Sequence, residues 1–120
     1  MAELPLDVKK QQWLTAQRWR QQVTTCLETA GLNFNEWLVL DATWLLVNRS
    51  GNAVSQAEVA RNLELDAMTL WHAMAVLEHR GLVSRGRTLS GAWRVFVTQE
   101  GVDRLRAIEP RLELASASGS

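Results

Sequence analysis

Residues 54–83 predict a mainly α-helical chain with one small β-hairpin, organised around a helix-turn-helix with a wing. Three observations carry this. Ser55 followed by Glu58 is an S-x-x-E capping box, which starts a short helix with Val59, Ala60 and Leu63 on one stripe. Leu65 plugs the turn, and Asp66 can cap a second helix reaching about Arg80, in which Leu70, Ala73, Met74 and Leu77 recur at core-face spacing. Gly81 then stands where a left-handed residue closes a helix, and Leu82-Val83 begins a β run. Helix, turn, helix, glycine and strand is the succession of a winged helix-turn-helix, whose second helix enters a DNA major groove.

The flanking elements follow in order. Asp7 precedes a long helical stretch from Val8 to about Ala30, where Trp19, Val23, Cys26, Leu27 and Ala30 form one stripe begun by Trp13 and Leu14. At about 22 residues this helix would extend ~33 Å, more than a small domain needs for its own core, which points to packing against a second copy. Gly31 ends it. Asn33 with Glu36 caps a helix from Phe34 to about Asn48 whose apolar residues fall nearly all round, the pattern of a central buried helix. Residues 49–52 read as a turn. After the helix-turn-helix, residues 82–87 and 92–97 are two β-type runs joined by Thr88-Leu89-Ser90-Gly91, a hairpin. Thr98 can cap a last helix, with Gly101 in its first turn and Val102, Leu105, Ile108 and Leu112 on its stripe. Pro110 is expected to kink or end it, and residues 116–120 read as a disordered tail.

Composition narrows the function classes. A chain of 120 residues with 47% hydrophobic and 22% charged residues is sized for one globular domain, not a disordered segment. No apolar run reaches the roughly 20 residues that span a bilayer, and the N-terminus lacks the layout of a signal peptide. One cysteine gives no internal disulfide, which fits a reducing cytosol, so a cytoplasmic protein without a membrane partner is expected. Thirteen basic and thirteen acidic residues balance, which argues against an indiscriminate polyanion binder. The charge is uneven, however. Between Arg49 and Arg94 six arginines face four carboxylates, whereas from Val95 onward three arginines face four carboxylates.

From about Gln17 to Glu113 the chain resembles the MarR family of bacterial winged-helix transcription regulators. The resemblance rests on residues 31–40 (GLNFNEWLVL), 54–66 (VSQAEVARNLELD), 77–83 (LEHRGLV) and 97–101 (VTQEG), in family order and at family-like spacing. It implies a sequence-specific regulator, more often a repressor, that binds a palindromic operator in double-stranded DNA as a homodimer. It also implies dimerisation through the first and last helices, and in many members a small aromatic or phenolic effector bound beside them. On that reading residues 1–33 hold the N-terminal dimerisation helix, 34–98 the DNA-binding domain and 99–115 the C-terminal dimerisation helix. This chain departs from the family pattern in three places. Ala67 to Glu78 contains no Lys or Arg, the wing is short, and the C-terminal segment stops early, which shifts dimerisation toward the first helix.

The candidate residues follow from helix geometry. With the core stripe of the second helix centred on Leu70 and Leu77, the opposite face carries Met68, His72, Ala75 and His79, flanked by Thr69, Trp71 and Val76. Thr69 and His72 are placed to read base edges, and Met68 and Ala75 to meet thymine methyls. Arg61, Arg80, Arg85, Arg87 and Arg94, with Arg49, are the phosphate candidates, those of the hairpin foremost. Trp19, Trp37 and Trp44 are candidates to line an effector pocket; the alternative for such large aromatics is core and dimer packing. His72 and His79 lie two helical turns apart, too far to share one metal ion. Cys26 sits on an apolar stripe and reads as a buried thiol. The sequence contains no nucleophile–His–acid set, metal-ligand spacing or phosphate-binding glycine loop, so neither an enzyme nor a cofactor is expected. The arginine-free helix leaves a different class open: a winged-helix module that binds a protein or a ligand and has little affinity for DNA.

Overall fold

The computed structural model describes the backbone of residues 6–118 and the side chains of residues 7–110. The elements run α1 (Leu6–Thr29), α2 (Phe34–Ser50), α3 (Gln56–Leu63), α4 (Ala67–His79), β1 (Val83–Arg87), β2 (Trp93–Val97) and α5 (Gln99–Ser118). Strands β1 and β2 pair antiparallel with Val83 opposite Val97 and Arg87 opposite Trp93. An isolated bridge from Val54 to Val95 ties the lead-in to α3 onto the hairpin. This is the winged helix-turn-helix that the sequence predicts.

Local chemistry sets the boundaries. At Asn33 both halves of the capping box form: Glu36 N–H donates to Asn33 Oδ1 at 2.8 Å, and Asn33 N–H donates to Glu36 Oε1 at 3.1 Å. At Ser55 only one half forms. Glu58 N–H donates to Ser55 Oγ at 3.2 Å, while the Glu58 carboxylate faces Arg94 at 3.6 Å. The turn between α3 and α4 is closed by Glu64 in the left-handed region at φ 55° and by Leu65 N–H donating to Ala60 O at 3.2 Å. Gly81, at φ 75°, ends α4 with paired bonds: its own N–H donates to Glu78 O, and Leu82 N–H donates to Leu77 O.

The core lies where α2, α4, the wing and the near ends of α1 and α5 converge. Val23 and Leu27 of α1, Val39 and Leu40 of α2, and Met74 and Leu77 of α4 are buried there, with Leu82, Val95 and Ile108. Gly101 marks the tightest approach. A Cβ at this position would overlap the carbonyl oxygen of Leu82 and stand 2.6 Å from Val97 Cγ1. Thr98 holds the same junction, because its hydroxyl donates to Gly81 O at 2.6 Å and accepts from Gly101 N–H at 3.1 Å.

Three expectations change. Helix α2 is not buried all round: Leu45 is 52% exposed, and Trp37 and Trp44 are half-buried. A single chain has only enough partners to cover one side of it. The last helix neither ends at Pro110 nor stops at residue 115, but spans 20 residues to Ser118. Proline removes one backbone donor, and the leucine- and alanine-rich stretch after it can still propagate a helix. The tail expected from residue 116 is therefore helical through residue 118, while residues 119–120 and the Leu112 side chain lie outside the described residues. Finally, the stripe of α1 is only half used. Val23 and Leu27 are buried, but Trp13 is 60% and Trp19 43% exposed.

Candidate nucleic-acid interface and effector cleft

Helix α4 is placed by its buried stripe of Leu70, Ala73, Met74 and Leu77, which leaves the opposite side open. Met68, Trp71, His72, Val76 and His79 are exposed there, and Ala75 is half-buried. The Trp71 and His72 rings meet edge to face at 5.3 Å. At the helix start Asp66 accepts from Thr69 N–H at 2.8 Å and from the Thr69 hydroxyl at 2.7 Å. These two bonds, the backbone one first, hold the Asp66 carboxyl below its ordinary range. They also occupy the hydroxyl proton of Thr69, leaving that side chain only acceptor capacity. Of the two side chains expected to read base edges, His72 is the freer.

The arginines divide into tied and free. Arg85 donates from Nε and Nη2 to the two carboxylate oxygens of Glu78, each at 2.9 Å, and from Nη1 to Gln56 Oε1 at 2.9 Å. This fork lowers the Glu78 carboxyl and raises the Arg85 guanidinium, chiefly through the shared hydrogen bonds. It stitches the wing to α4 and to the start of α3. Arg80 donates to Gly31 O and lies 3.6 Å from Glu36, and Arg104 donates to Ala30 O. The two together satisfy carbonyls at the C-terminal end of α1. Arg80 and Arg85, both expected as phosphate ligands, are thus committed to intramolecular partners. The count of arginines along the sequence did not show that Glu36 and Glu78 would meet them.

Arg87 has no carboxylate partner among the described residues. Its guanidinium stacks over the Trp93 ring at 4.8 Å, across the final register pair of the hairpin. Arg94, weakly paired with Glu58, lines a shallow groove with Ser50, Asn52 and Thr88. Arg61 and Arg49 are exposed on α3 and at the end of α2. The wing also presents apolar side chains that the sequence reading did not single out: Leu89 is fully exposed at its tip, and Trp93 and Phe96 are 53% and 44% exposed. The register opposite Arg87 was the available signal for Trp93. The outward surface therefore joins a weakly charged, partly apolar helix face to a wing on which Arg87 has no carboxylate partner among the described residues and Arg94 is only weakly paired.

A second feature lies between α2 and α5. A cleft of about 370 Å³ is lined by Trp37, Asp41, Trp44 and Leu45 from α2 and by Val102, Leu105, Arg106 and Glu109 from α5. Two of the three tryptophans proposed as pocket residues come together here. Trp19 does not join them; it packs edge-on against Phe34 at 6.2 Å, drawn to the aromatic side chain that opens α2. Asp41 is the residue that sequence reasoning missed, and its signal was a lone carboxylate in the apolar run from Trp37 to Val47. Burial first, and then the charge of Glu109, hold its carboxyl above the ordinary range. Cys26 is half-buried on α1, and among the described residues no cluster of His, Cys, Asp and Glu could hold a metal ion. Among the described residues no helix is long and apolar enough to cross a membrane.

No protein-family model matches the sequence, and no curated protein matches it either. Solved structures do. A MarR-family transcriptional regulator from Rhodococcus sp. RHA1 superposes with a TM-score of 0.80 at 24% identity, over 97% of this chain and 83% of that one. The Mycobacterium tuberculosis MarR family protein Rv2887, in complex with DNA, gives 0.74 at 20% identity, over 98% and 83%. CouR from Rhodococcus jostii RHA1, bound to p-coumaroyl-CoA, gives 0.75 at 24% identity, over 96% and 79%. At this level of identity the likeness establishes the fold. The chain has the winged-helix architecture of the MarR-type proteins, including the long helices that flank the helix-turn-helix.

Proposed function

We propose that the protein is a cytoplasmic, homodimeric, sequence-specific DNA-binding transcription regulator, acting as a repressor on a palindromic operator. The observation that carries this reading is the open outer face of α4 standing beside a wing whose Arg87 has no acidic partner among the described residues. In each subunit Met68, Trp71, His72, Ala75 and His79 would lie along one major-groove half-site. Contacts to methyl groups and groove shape would give selectivity, and Arg87, Arg94 and Arg61 would meet the phosphates. The DNA complex of Rv2887 supports the same use of the fold. The exposed Trp13 and Trp19 of α1 offer apolar surface that a second copy would cover. A small aromatic effector in the cleft between α2 and α5 would alter how these helices pack and so change half-site spacing. CouR with p-coumaroyl-CoA and Rv2887 with p-aminosalicylic acid support effector control on this fold.

The test is a salt titration of binding to the DNA upstream of the protein's own gene. Affinity should fall steeply as salt rises, because phosphate contacts release counterions. Undetectable binding at low salt would abandon this reading. It would favour a winged-helix module whose arginine-free α4 face docks a protein instead.

A further inference from the structure

The cleft between α2 and α5 presents two kinds of wall: the indoles of Trp37 and Trp44, and the carboxylates of Asp41 and Glu109. Asp41 forms no ion pair or side-chain hydrogen bond among the described residues, although it is half-buried. Arg106 lines the same cleft without pairing with either carboxylate. We propose that this cleft selects an organic cation bearing aromatic or other bulky apolar groups, and disfavours aromatic acids. A cation that lies against the face of either indole is attracted by the negative charge of the ring face. The same charge gives Asp41 and Glu109 the counter-ion that the protein withholds and relieves the cost of holding an unpaired carboxylate away from water. Burial and the charge of Glu109 both disfavour ionised Asp41, and a bound cation opposes both. An aromatic carboxylate of the same size would instead bring a third negative charge into a cleft whose lining holds a single cation, Arg106.

This inference builds on the cleft as the effector site but concerns only what the cleft binds, so its test uses the full chain without DNA. Tetraphenylphosphonium and tetraphenylborate have nearly the same shape and opposite charge. Calorimetric titration near neutral pH should show the phosphonium binding at least about tenfold more tightly, the scale expected from cation–indole and part-exposed charge contacts together. The pair Asp41→Asn with Glu109→Gln keeps side-chain size and removes both charges. It should reduce the phosphonium preference to the roughly two- to fivefold that the indoles alone supply, while the free protein stays folded and melts no lower than the parent. Phosphonium binding by a protein that fails the DNA titration would support this inference and remove only the regulator reading. Absent phosphonium binding, equal or tighter binding of the borate by the parent, or a cation preference undiminished by the double substitution would overturn it.

Discussion

Arg85 and Arg87 lie two residues apart on β1, and the structure assigns them opposite tasks that alanine substitution can separate. Arg85 makes three side-chain bonds of 2.9 Å, two of them a fork onto Glu78, with its side chain 21% and that of Glu78 40% exposed. Discounted for that exposure, Arg85→Ala should cost about 1–2 kcal/mol, which lowers Tm by roughly 4–8 °C in a domain of this size. Arg87 only stacks over Trp93, itself 53% exposed, so Arg87→Ala should cost about 0.5 kcal/mol and shift Tm by no more than ~2 °C. DNA binding should reverse the ranking. If Arg87 neutralises one phosphate in each of two subunits, its loss flattens the slope of log affinity against log salt by about 1.8. Between roughly 50 and 200 mM salt, the deficit of the variant relative to the parent should then shrink about twelvefold. Thermal melts at matched protein concentration and anisotropy titrations at several salt concentrations read the two effects independently. An unchanged salt slope in Arg87→Ala, or a flattened slope in Arg85→Ala without loss of Tm, would refute the division into a stitching and a phosphate-facing arginine.

Other substitutions probe the scaffold and the cleft. Gly101→Ala forces a methyl group onto the Leu82 carbonyl and should cost about 2–3 kcal/mol in denaturant unfolding, whereas Gly86→Ala, with open space around it, should stay within ~0.5 kcal/mol. Asp41→Asn should raise Tm at neutral pH. The Asp41 carboxyl is held high, first by burial and then by Glu109, so the protein bears the cost of its ionised form as pH rises through that raised value. The advantage of Asn should fade as pH falls below about 4, where Asp41 is neutral in both folded and unfolded chains. Asp66→Ala should show the reverse dependence. The Asp66 carboxyl is held low by Thr69, first through its N–H and then its hydroxyl, so its stabilising effect is present above the ordinary carboxylate value and is lost as pH falls through the lowered one. The gap between parent and Asp66→Ala melting temperatures should therefore narrow as pH falls below the ordinary carboxylate value, because only the parent has this cap to lose.

What the sequence showed and what it hid differ by the range of the interactions involved. Asn33 with Glu36, Ser55 with Glu58, and Gly31 and Gly81 are decided within four residues of chain, so the helix boundaries and the helix-turn-helix could be read directly. The two strands of the hairpin were legible in the same way, from the glycine-containing loop between them. The pairing of charges was not, because Arg85 finds Glu78 and Gln56, and Arg80 finds Gly31 and Glu36, only after α1, α2, α4 and the wing have packed. The sequence therefore ranked Arg85 with Arg87 among the hairpin arginines, whereas the fold makes the first a stitch and leaves the second without a carboxylate partner among the described residues. The same reasoning explains the cleft. Trp37 and Trp44 lie on one helix face by spacing alone, but Asp41 gains its meaning only when α5 lays Glu109 and Arg106 across from it. Fewer free cations on the groove side make each remaining one count for more. Binding should thus depend sharply on Arg87 and on apolar complementarity at Met68 and Trp71, and tolerate substitution of the arginines that the fold has already used.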